Sequence, residues 1–363
     1  MAPFGGMMMA KKVVITKAGG VRCVTTIPMD VPQPSAGEVR VKVAYAGINF
    51  ADLLMRMGFY QPRPPYPFTP GYEVSGVVDA IGEDVEGLSV GQRVVAAMRN
   101  GGQASYVLAP VARVIPLPDD LSLKEAAATP VTYLTAHHML HHLGHLTSSD
   151  SVLVHGGAGG VGTAALQLCK WAGVTRVWST SSKGKHHILE KYGARAIDRH
   201  NEDFSRIIAK ETEGRGVDHI LDPIGGDHLR RSLSSLAEGG RLYTYGLSAA
   251  APTGKRSMLK AFFALRKTPK FDALRLMTRN RAVFGVHMGT WSDEAVMHTQ
   301  LERIVEGIQT GHLQPVVDSV FPADDVQAAH QHIHDAKNIG KVLLKFEEVS
   351  EENARGEADG STP

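Results

Sequence analysis

The residues best suited to chemistry lie where the apolar run Val152-Leu153-Val154-His155 breaks into Gly156-Gly157-Ala158-Gly159-Gly160-Val161-Gly162 and resumes as Thr163-Ala164-Ala165-Leu166. The pattern predicts strand, tight turn and helix. Gly157, Gly159 and Gly162 fit the spacing G-x-G-x-x-G, in which the first glycine allows the turn, the second admits a pyrophosphate against the backbone, and the third lets helix and strand touch. Phosphates would sit at the helix N-terminus, where unpaired N–H groups and the positive end of the helix dipole converge. Ala158, Gly160 and Val161 complete that cradle.

A second candidate group decides which dinucleotide. An NAD-binding unit places an acidic residue about twenty positions past the glycines to hold the ribose hydroxyls. Here the sequence reads Ser179-Thr180-Ser181-Ser182-Lys183-Gly184-Lys185. With no carboxylate there, Ser181, Lys183 and Lys185 form a site for a ribose phosphate, with Arg199 as a further contributor, and NADP(H) is the expected cofactor. The competing reading is a polar loop with solvated lysines.

Two further clusters carry weaker signals. His137, His138, His141, His142 and His145 include pairs four apart, a spacing that can bind zinc, but the H-E-x-x-H arrangement is absent and helix-surface histidines are the favoured reading. No metal site is expected. Asp222 follows an apolar strand and precedes Pro223, where capping a turn is favoured over touching a cofactor.

The elements that must position these groups follow from the rest of the chain. Its 363 residues suffice for two domains, each with a core of its own. A net charge of +2 gives no footprint for nucleic acid. Cys23 and Cys169 are too few for a disulfide framework or a four-thiolate zinc lobe, which favours a reducing, cytoplasmic setting. No run reaches the roughly twenty apolar residues of a membrane span. Residues 1–11 read as a disordered lead-in and 347–363 as a disordered acidic tail.

Residues 12–110 alternate in short β-branched runs between turn signals, such as Glu38-Val39-Arg40-Val41-Lys42-Val43, and predict a compact β-rich barrel. Within them Asn49 could cap a short helix carrying Phe50, Leu53 and Leu54. Helical patterning starts near Ser122 and continues over 133–143. Strands then alternate with helices through residue 245, the signature of a doubly wound parallel sheet. Residues 254–281 are basic and partly helical. Within it, Lys255 to Lys267 reads as a solvated face around an apolar stripe packed on the domain or the neighbouring cleft, or as an amphipathic helix touching a membrane or partner.

The order of a β-rich half before a nucleotide-binding domain, with Ala46-Gly47-Ile48-Asn49-Phe50-Ala51-Asp52, Pro70-Gly71-Tyr72-Glu73-Val74-Ser75-Gly76 and the glycine turn, resembles the medium-chain dehydrogenase/reductase superfamily over residues 12–346. Leu221-Asp222-Pro223-Ile224-Gly225-Gly226, Tyr243-Thr244-Tyr245-Gly246 and Asn338-Ile339-Gly340-Lys341 narrow the likeness to the quinone oxidoreductase and zeta-crystallin branch, and within it to the vesicle amine transport protein subgroup. The resemblance implies an α/β architecture. A Rossmann sheet over 133–311 is joined to a discontinuous GroES-like catalytic barrel over 12–132 and 312–346, with a homodimer as the working state. Cysteine and histidine zinc ligands of the family's alcohol dehydrogenases correspond to Asn49 and Tyr72, which implies a zinc-independent member.

By the same resemblance Asn49, Asp52 and Tyr60 are the catalytic candidates, with Phe50 and Leu54 beside them near the nicotinamide. Tyr60 either donates to the acceptor oxygen or is a packed loop tyrosine beside Pro62 and Pro64. Thr135 and His138 correspond to positions near the carboxamide, and Tyr245, Gly246, Val286 and Lys341 join the cofactor set. Some relatives carry a tyrosine where Leu54 stands, and several carry one where Arg199 stands. Without a Lewis acid, alcohol oxidation loses its main electrostatic help, whereas a quinone or enone stabilises the charge of an accepted hydride itself. The expected activity is hydride transfer from NADPH to a quinone or α,β-unsaturated carbonyl. The rivals are an NADPH-binding interaction protein with little turnover and an enoyl thioester reductase.

Overall fold

The computed structural model describes residues 9–251 and 256–346. The expected lead-in and tail fall mainly outside the described residues, although Lys11 already opens a strand. The chain divides into two compact units: one runs through Ala127 and adds Val320–His330 and the residues from Val342, the other comprises Ala128–Ser319 and Gln331–Lys341.

In the first unit, β1 (Lys11–Ile15) and β2 (Val24–Pro28) form an antiparallel pair. The main sheet is built on β3 (Glu38–Ile48), whose Val39, Val41 and Val43 are fully buried on alternate positions while Arg40 and Lys42 lie nearer the surface. A short helix, α1 (Phe50–Met57), follows, then β4 (Glu73–Ile81), β5 (Arg93–Ala97), β6 (Tyr106–Pro110), β7 (Val114–Pro116) and α2 (Leu123–Ala126). β3 pairs antiparallel with both β4 and β6, and β5 joins β4 to β7. Asn49 stands at the start of α1, as the sequence predicts, and Gly58 ends it in the left-handed region at φ 78°.

The second unit opens with α3 (Pro130–His137). The stretch 133–143, expected as one helix, divides: α3 gives way to a π-helical turn over His138–Leu143. Such a turn inserts an extra residue into the helical ladder, yet His137 with His141 and His138 with His142 keep their ring centroids 4.8 Å apart. Next come β8 (Ser151–His155), α4 (Gly160–Trp171), β9 (Arg176–Ser181), α5 (His186–Lys191), β10 (Arg195–Asp198), α6 (Phe204–Glu211), β11 (Val217–Asp222), α7 (His228–Ser234) and β12 (Leu236–Thr244). Then follow α8 (Met258–Lys267), α9 (Ala273–Met277), β13 (Ala282–Gly285) and α10 (Glu294–Gln309). The six strands run parallel in the order β10-β9-β8-β11-β12-β13. That is the doubly wound arrangement expected from the strand–helix alternation, with β8 beside the point where strand order reverses. Leu153, Ile197, Ile220 and Leu242 from four of its strands share one core with Phe204 and Leu229.

The last elements, β14 (Val317–Pro322), α11 (Val326–His334) and β15 (Lys341–Lys345), are each shared between the units. Val342 to Lys345 of β15 pair antiparallel with β3. Among the described residues no helix is long and apolar enough to cross a membrane.

Candidate functional site

The glycine turn joins β8 to α4, and its glycines answer to different constraints. A Cβ on Gly157 would lie 1.8 Å from Ser179 Oγ, one on Gly160 2.7 Å from Thr132 Cγ2, and one on Gly162 2.4 Å from Gly156 O. Internal packing therefore forbids side chains at those three. At Gly159 a Cβ would meet a single atom, Gly156 O at 3.3 Å, so the protein's own packing barely explains its glycine. Gly159 is also the N-cap of α4, and no side chain caps the helix. The first-turn amides Gly160, Val161 and Gly162 precede any intrahelical partner, which suits them to an anion. A dinucleotide pyrophosphate fits this cradle. Ala158 O accepts from Gly340 N at 2.8 Å, which ties the 338–341 segment to the turn, and Lys341 is almost wholly buried there.

Behind the turn lies a polar network that no glycine motif reveals. Ser232 Oγ donates to Asp222 Oδ2 at 2.8 Å, and His228 Nδ1 donates to the same oxygen at 2.8 Å. Because the serine proton is committed to the carboxylate, Ser232 Oγ accepts from His155 Nε2 at 3.3 Å, and Nδ1 is left to accept from Thr180 Oγ1 at 3.1 Å. Thr180 Oγ1 in turn accepts from Gly156 N, and Thr180 O from Gly157 N. Burial pulls His155 down to about 3, and His228 acts in the same direction. It is neutral, as this tautomer requires. Asp222 sits near 2 although burial opposes ionisation, because His228, His155 and Ser232 favour the carboxylate. Its other oxygen accepts from Ile224 N and Gly225 N, the turn cap expected from the sequence. Among the described residues, His155, Asp222 and His228 form the group whose ligand atoms, all within 4.8 Å of one another, come within reach of a metal ion. Both ring nitrogens of His155, both oxygens of Asp222 and Nδ1 of His228 already have hydrogen-bonding partners.

At the end of β9, Ser181 O accepts from Arg199 N at 2.9 Å, which brings Arg199 alongside, while Lys183 is exposed. Lys185 is differently employed: its Nζ donates to Ala336 O and Asn338 O, each at 2.6 Å, so two of its three protons hold backbone. Burial, then the nearby Arg199, lowers its pKa. The sequence showed no carboxylate on β9, but parallel pairing sets Asp198 of β10 opposite Ser181. Its oxygens accept from His200 N at 3.0 Å and Asn201 Nδ2 at 2.7 Å, capping its own loop. Only strand register, which the local sequence does not display, brings that acid here.

The remaining cofactor candidates of this unit are scattered over several elements. Thr135 is buried in α3; His138 Nδ1 lies 3.2 Å from Gln300 Nε2, and its ring stacks on His142 and meets the edge of Trp291. Tyr245 N donates to Asp222 O at 3.2 Å, a Cβ on Gly246 would lie 2.6 Å from Pro223 O, and Val286 N donates to Thr244 O at 2.9 Å.

In the barrel unit Asn49, Asp52 and Tyr60 do come together. Asp52, fully buried, accepts from Asn49 N at 2.8 Å through one oxygen and from Gly71 N at 3.2 Å through the other. Asn49 Nδ2 donates to Oε1 of the buried Glu73 at 3.0 Å. A Cβ on Gly47 would collide with that carboxylate at 2.3 Å. Tyr60 and Tyr72 are hydrogen-bonded through their hydroxyls, and burial followed by the Asp52 charge pushes Tyr60 up to about 12. Phe50 and Leu54 flank Asp52 on α1, Leu54 buried and Phe50 half-buried. Asn49 and Tyr72, the two positions where the family resemblance would place zinc ligands, are thus engaged in hydrogen bonds with Glu73 and Tyr60.

Comparison with known proteins agrees with both units. A family model described as an alcohol dehydrogenase GroES-like domain matches residues 35–119, and one described as a zinc-binding dehydrogenase matches 192–344. The synaptic vesicle membrane protein VAT-1 homolog of Mus musculus is 38% identical over 315 residues, which span 86% of this chain and 77% of that protein. The quinone oxidoreductase of Homo sapiens is 30% identical over 86% of this chain and 91% of its own length. A mycobacterial protein whose structure was solved in complex with NADPH superposes with a TM-score of 0.81 at 29% identity, covering 93% of this chain and 99% of that one. With a doubly wound sheet following a GroES-like barrel, and relatives matched over most of both lengths, the chain belongs to the medium-chain dehydrogenase/reductase family, in its quinone oxidoreductase branch.

Proposed function

We propose that this chain is an NADPH-dependent reductase of quinones and α,β-unsaturated carbonyls that works without zinc. The observation that carries the reading is the uncapped start of α4, where Gly159 is left as glycine with little in the protein's own packing to require it. The human quinone oxidoreductase and the NADPH-bound mycobacterial structure support the choice of reaction and cofactor.

In this reading the amides of Gly160, Val161 and Gly162 take the pyrophosphate charge. Ser181, Lys183 and Arg199 take the ribose phosphate, with the two cations offsetting Asp198. Lys185 serves chiefly by fixing the 336–338 backbone beside them. Thr135, His138, Tyr245, Gly246, Val286 and Lys341 serve the nicotinamide half, and the family resemblance assigns Phe50 and Leu54 to the same cofactor set. Bound there, the dinucleotide supplies the hydride. Asn49 and Asp52 act as a rigid pair that sets the start of α1. With its pKa near 12, Tyr60 keeps its proton at neutral pH, so it acts as a hydrogen-bond donor to the acceptor oxygen and not as a base. Most of the rate then comes from proximity and orientation.

The test is turnover. Purified protein should bind NADPH more tightly than NADH and oxidise it with at least one member of a panel of quinones, enones and enoyl thioesters. Tight NADPH binding with no turnover anywhere in the panel would make it a binding protein instead. Preference for the thioesters would move the activity to enoyl thioester reduction.

A further inference from the structure

The segment from residue 256 to 281 has a composition and a packing that the reductase reading does not use. It carries eight Lys or Arg and a single acid, Asp272, a net charge of +7 in a chain whose total is +2. Asp272 is occupied as the N-cap of α9, its Oδ1 accepting from Arg275 N at 3.0 Å. Most of the exposed large apolar side chains among the described residues also fall here.

Helix α8 packs in an inverted sense. A surface helix ordinarily buries its large apolar side chains and shows small or polar ones to water. In α8 it is Ala261 and Ala264 that are buried, at 4% and 8% exposure, whereas Leu259, Phe262, Phe263 and Leu265 are exposed by 65%, 55%, 50% and 59%. The small side chains let the helix lie close on the turn at Gly226, where a Cβ would stand 3.5 Å from Ala264 O. On α9, Leu274 and Met277 are likewise exposed, with Arg275 and Arg279 between and beyond them.

We propose that α8 and α9 form a docking face for the surface of a bilayer containing anionic lipid, with the apolar side chains entering the interfacial layer and the surrounding Lys and Arg meeting lipid headgroups. Charge selects this occupant. A second copy seated face to face would oppose like charge with like, whereas an anionic surface attracts the exposed Arg266, Lys267, Lys270, Arg275 and Arg279; Arg281 is spent on the carbonyls of Leu233, Leu236 and Ala237. At ten residues α8 is far too short to span, so it lies in the plane of the interface. The proposal does not rest on the reductase activity.

Flotation of the full chain with phosphatidylserine/phosphatidylcholine vesicles, and with phosphatidylcholine vesicles alone, tests it. The parent should partition onto the anionic vesicles, leave the neutral ones largely unbound, and release as salt is raised. Phe262→Ser with Phe263→Ser, and separately Arg266→Glu with Lys267→Glu, should each weaken binding by about tenfold or more. The charge pair is exposed and keeps the test intact if the serine pair does not fold. A Phe262→Trp variant should shift its emission to the blue on anionic vesicles alone. No partition, equal partition onto neutral vesicles, or partition unaffected by both pairs overturns the proposal. So does a parent that ignores vesicles but forms a dimer which the serine pair dissociates, since the face would then belong to a second copy.

Discussion

Two helices of this molecule begin in opposite ways. At α1 the chain fills the N-terminus itself: Asp52 accepts from Asn49 N, and its other oxygen from Gly71 N, so a carboxylate already sits on the positive end of the dipole. At α4 the chain supplies nothing; Gly159 caps without a side chain. An external anion would be repelled at the first helix and welcomed at the second. One start is therefore an internal fastening, and the other is left open to the anion that the proposed function assigns to it. In the proposed reading, the expectation that both Asn49 and the glycines face chemistry divides into a part that positions and a part that recognises.

The largest effects should come from giving α4 a side chain. Gly162→Val places carbon where Gly156 O and Gly157 Cα lie within 2.6 Å, and should cost at least about 3 kcal/mol or prevent folding. Gly159→Ala should cost under about 1 kcal/mol, because its Cβ meets one atom at 3.3 Å, yet weaken NADPH about tenfold or more. Thermal melts beside cofactor titrations separate the two. A Gly159→Ala protein that binds NADPH normally would erase the contrast between the helices.

At α1 the order reverses, and stability should respond where cofactor affinity does not. Asp52→Ala leaves the amides of Asn49 and Gly71 without their acceptor and should destabilise by about 1–3 kcal/mol, with NADPH affinity changed less than about twofold. Denaturant melts and a binding titration check it. A large loss of affinity with no loss of stability would mean that α1, too, meets the cofactor directly.

The support behind α4 can be probed by pH. His155 ionises near 3 in the folded chain and near 6.5 when unfolded, so between those values the unfolded state holds a proton that the folded state lacks. Stability must then fall as pH drops through that window and be flat above it as far as this group is concerned, at up to about 1.4 kcal/mol per pH unit. His137 and His138, lowered to about 3 and about 4 chiefly by burial, add to the slope in the same direction. Asp222, with its pKa depressed to about 2, gives up its contribution only below about pH 3.8. The informative quantity is the difference between the parent and His155→Gln in unfolding free energy from pH 7 to pH 5. The variant should lose close to one proton's worth of slope.

How much of this was legible follows from the range over which each feature is determined. The glycine turn, the cap at Asn49 and the strand–helix alternation depend on neighbours a few residues apart, and the sequence displays them directly. The turn cap at Asp222 was legible for the same reason. The His155–Ser232–Asp222 network joins residues up to 77 apart, and Asp198 meets Ser181 only through strand register. The commitment of Lys185 to carbonyls at 336 and 338 depends on a segment 151 residues and more away. His155, directly before the glycines, was the one local hint of that network. The π-helical turn at His138 also escaped a reading that assumes a period of 3.6 throughout.

The smallest effect tests the ribose end, where strand register sharpened the argument. Lys183 is exposed and Arg199 is held beside Ser181 by its own backbone, so each can reach a phosphate without disturbing the fold. Across the strand, Asp198 opposes that phosphate, though its oxygens are occupied by His200 N and Asn201 Nδ2. Lys183→Ala and Arg199→Ala should each weaken NADPH by about five- to tenfold, near 1 kcal/mol for one charge-assisted bond in partial contact with water, and leave NADH unchanged. Lys185→Ala should differ from both: because its ammonium anchors backbone, it should lower stability and weaken the two cofactors alike. Calorimetric titration of the three variants with both nucleotides measures this directly. If Lys185→Ala instead discriminates against NADPH alone, its third proton reaches the phosphate, and Lys183 and Arg199 do not hold that phosphate alone.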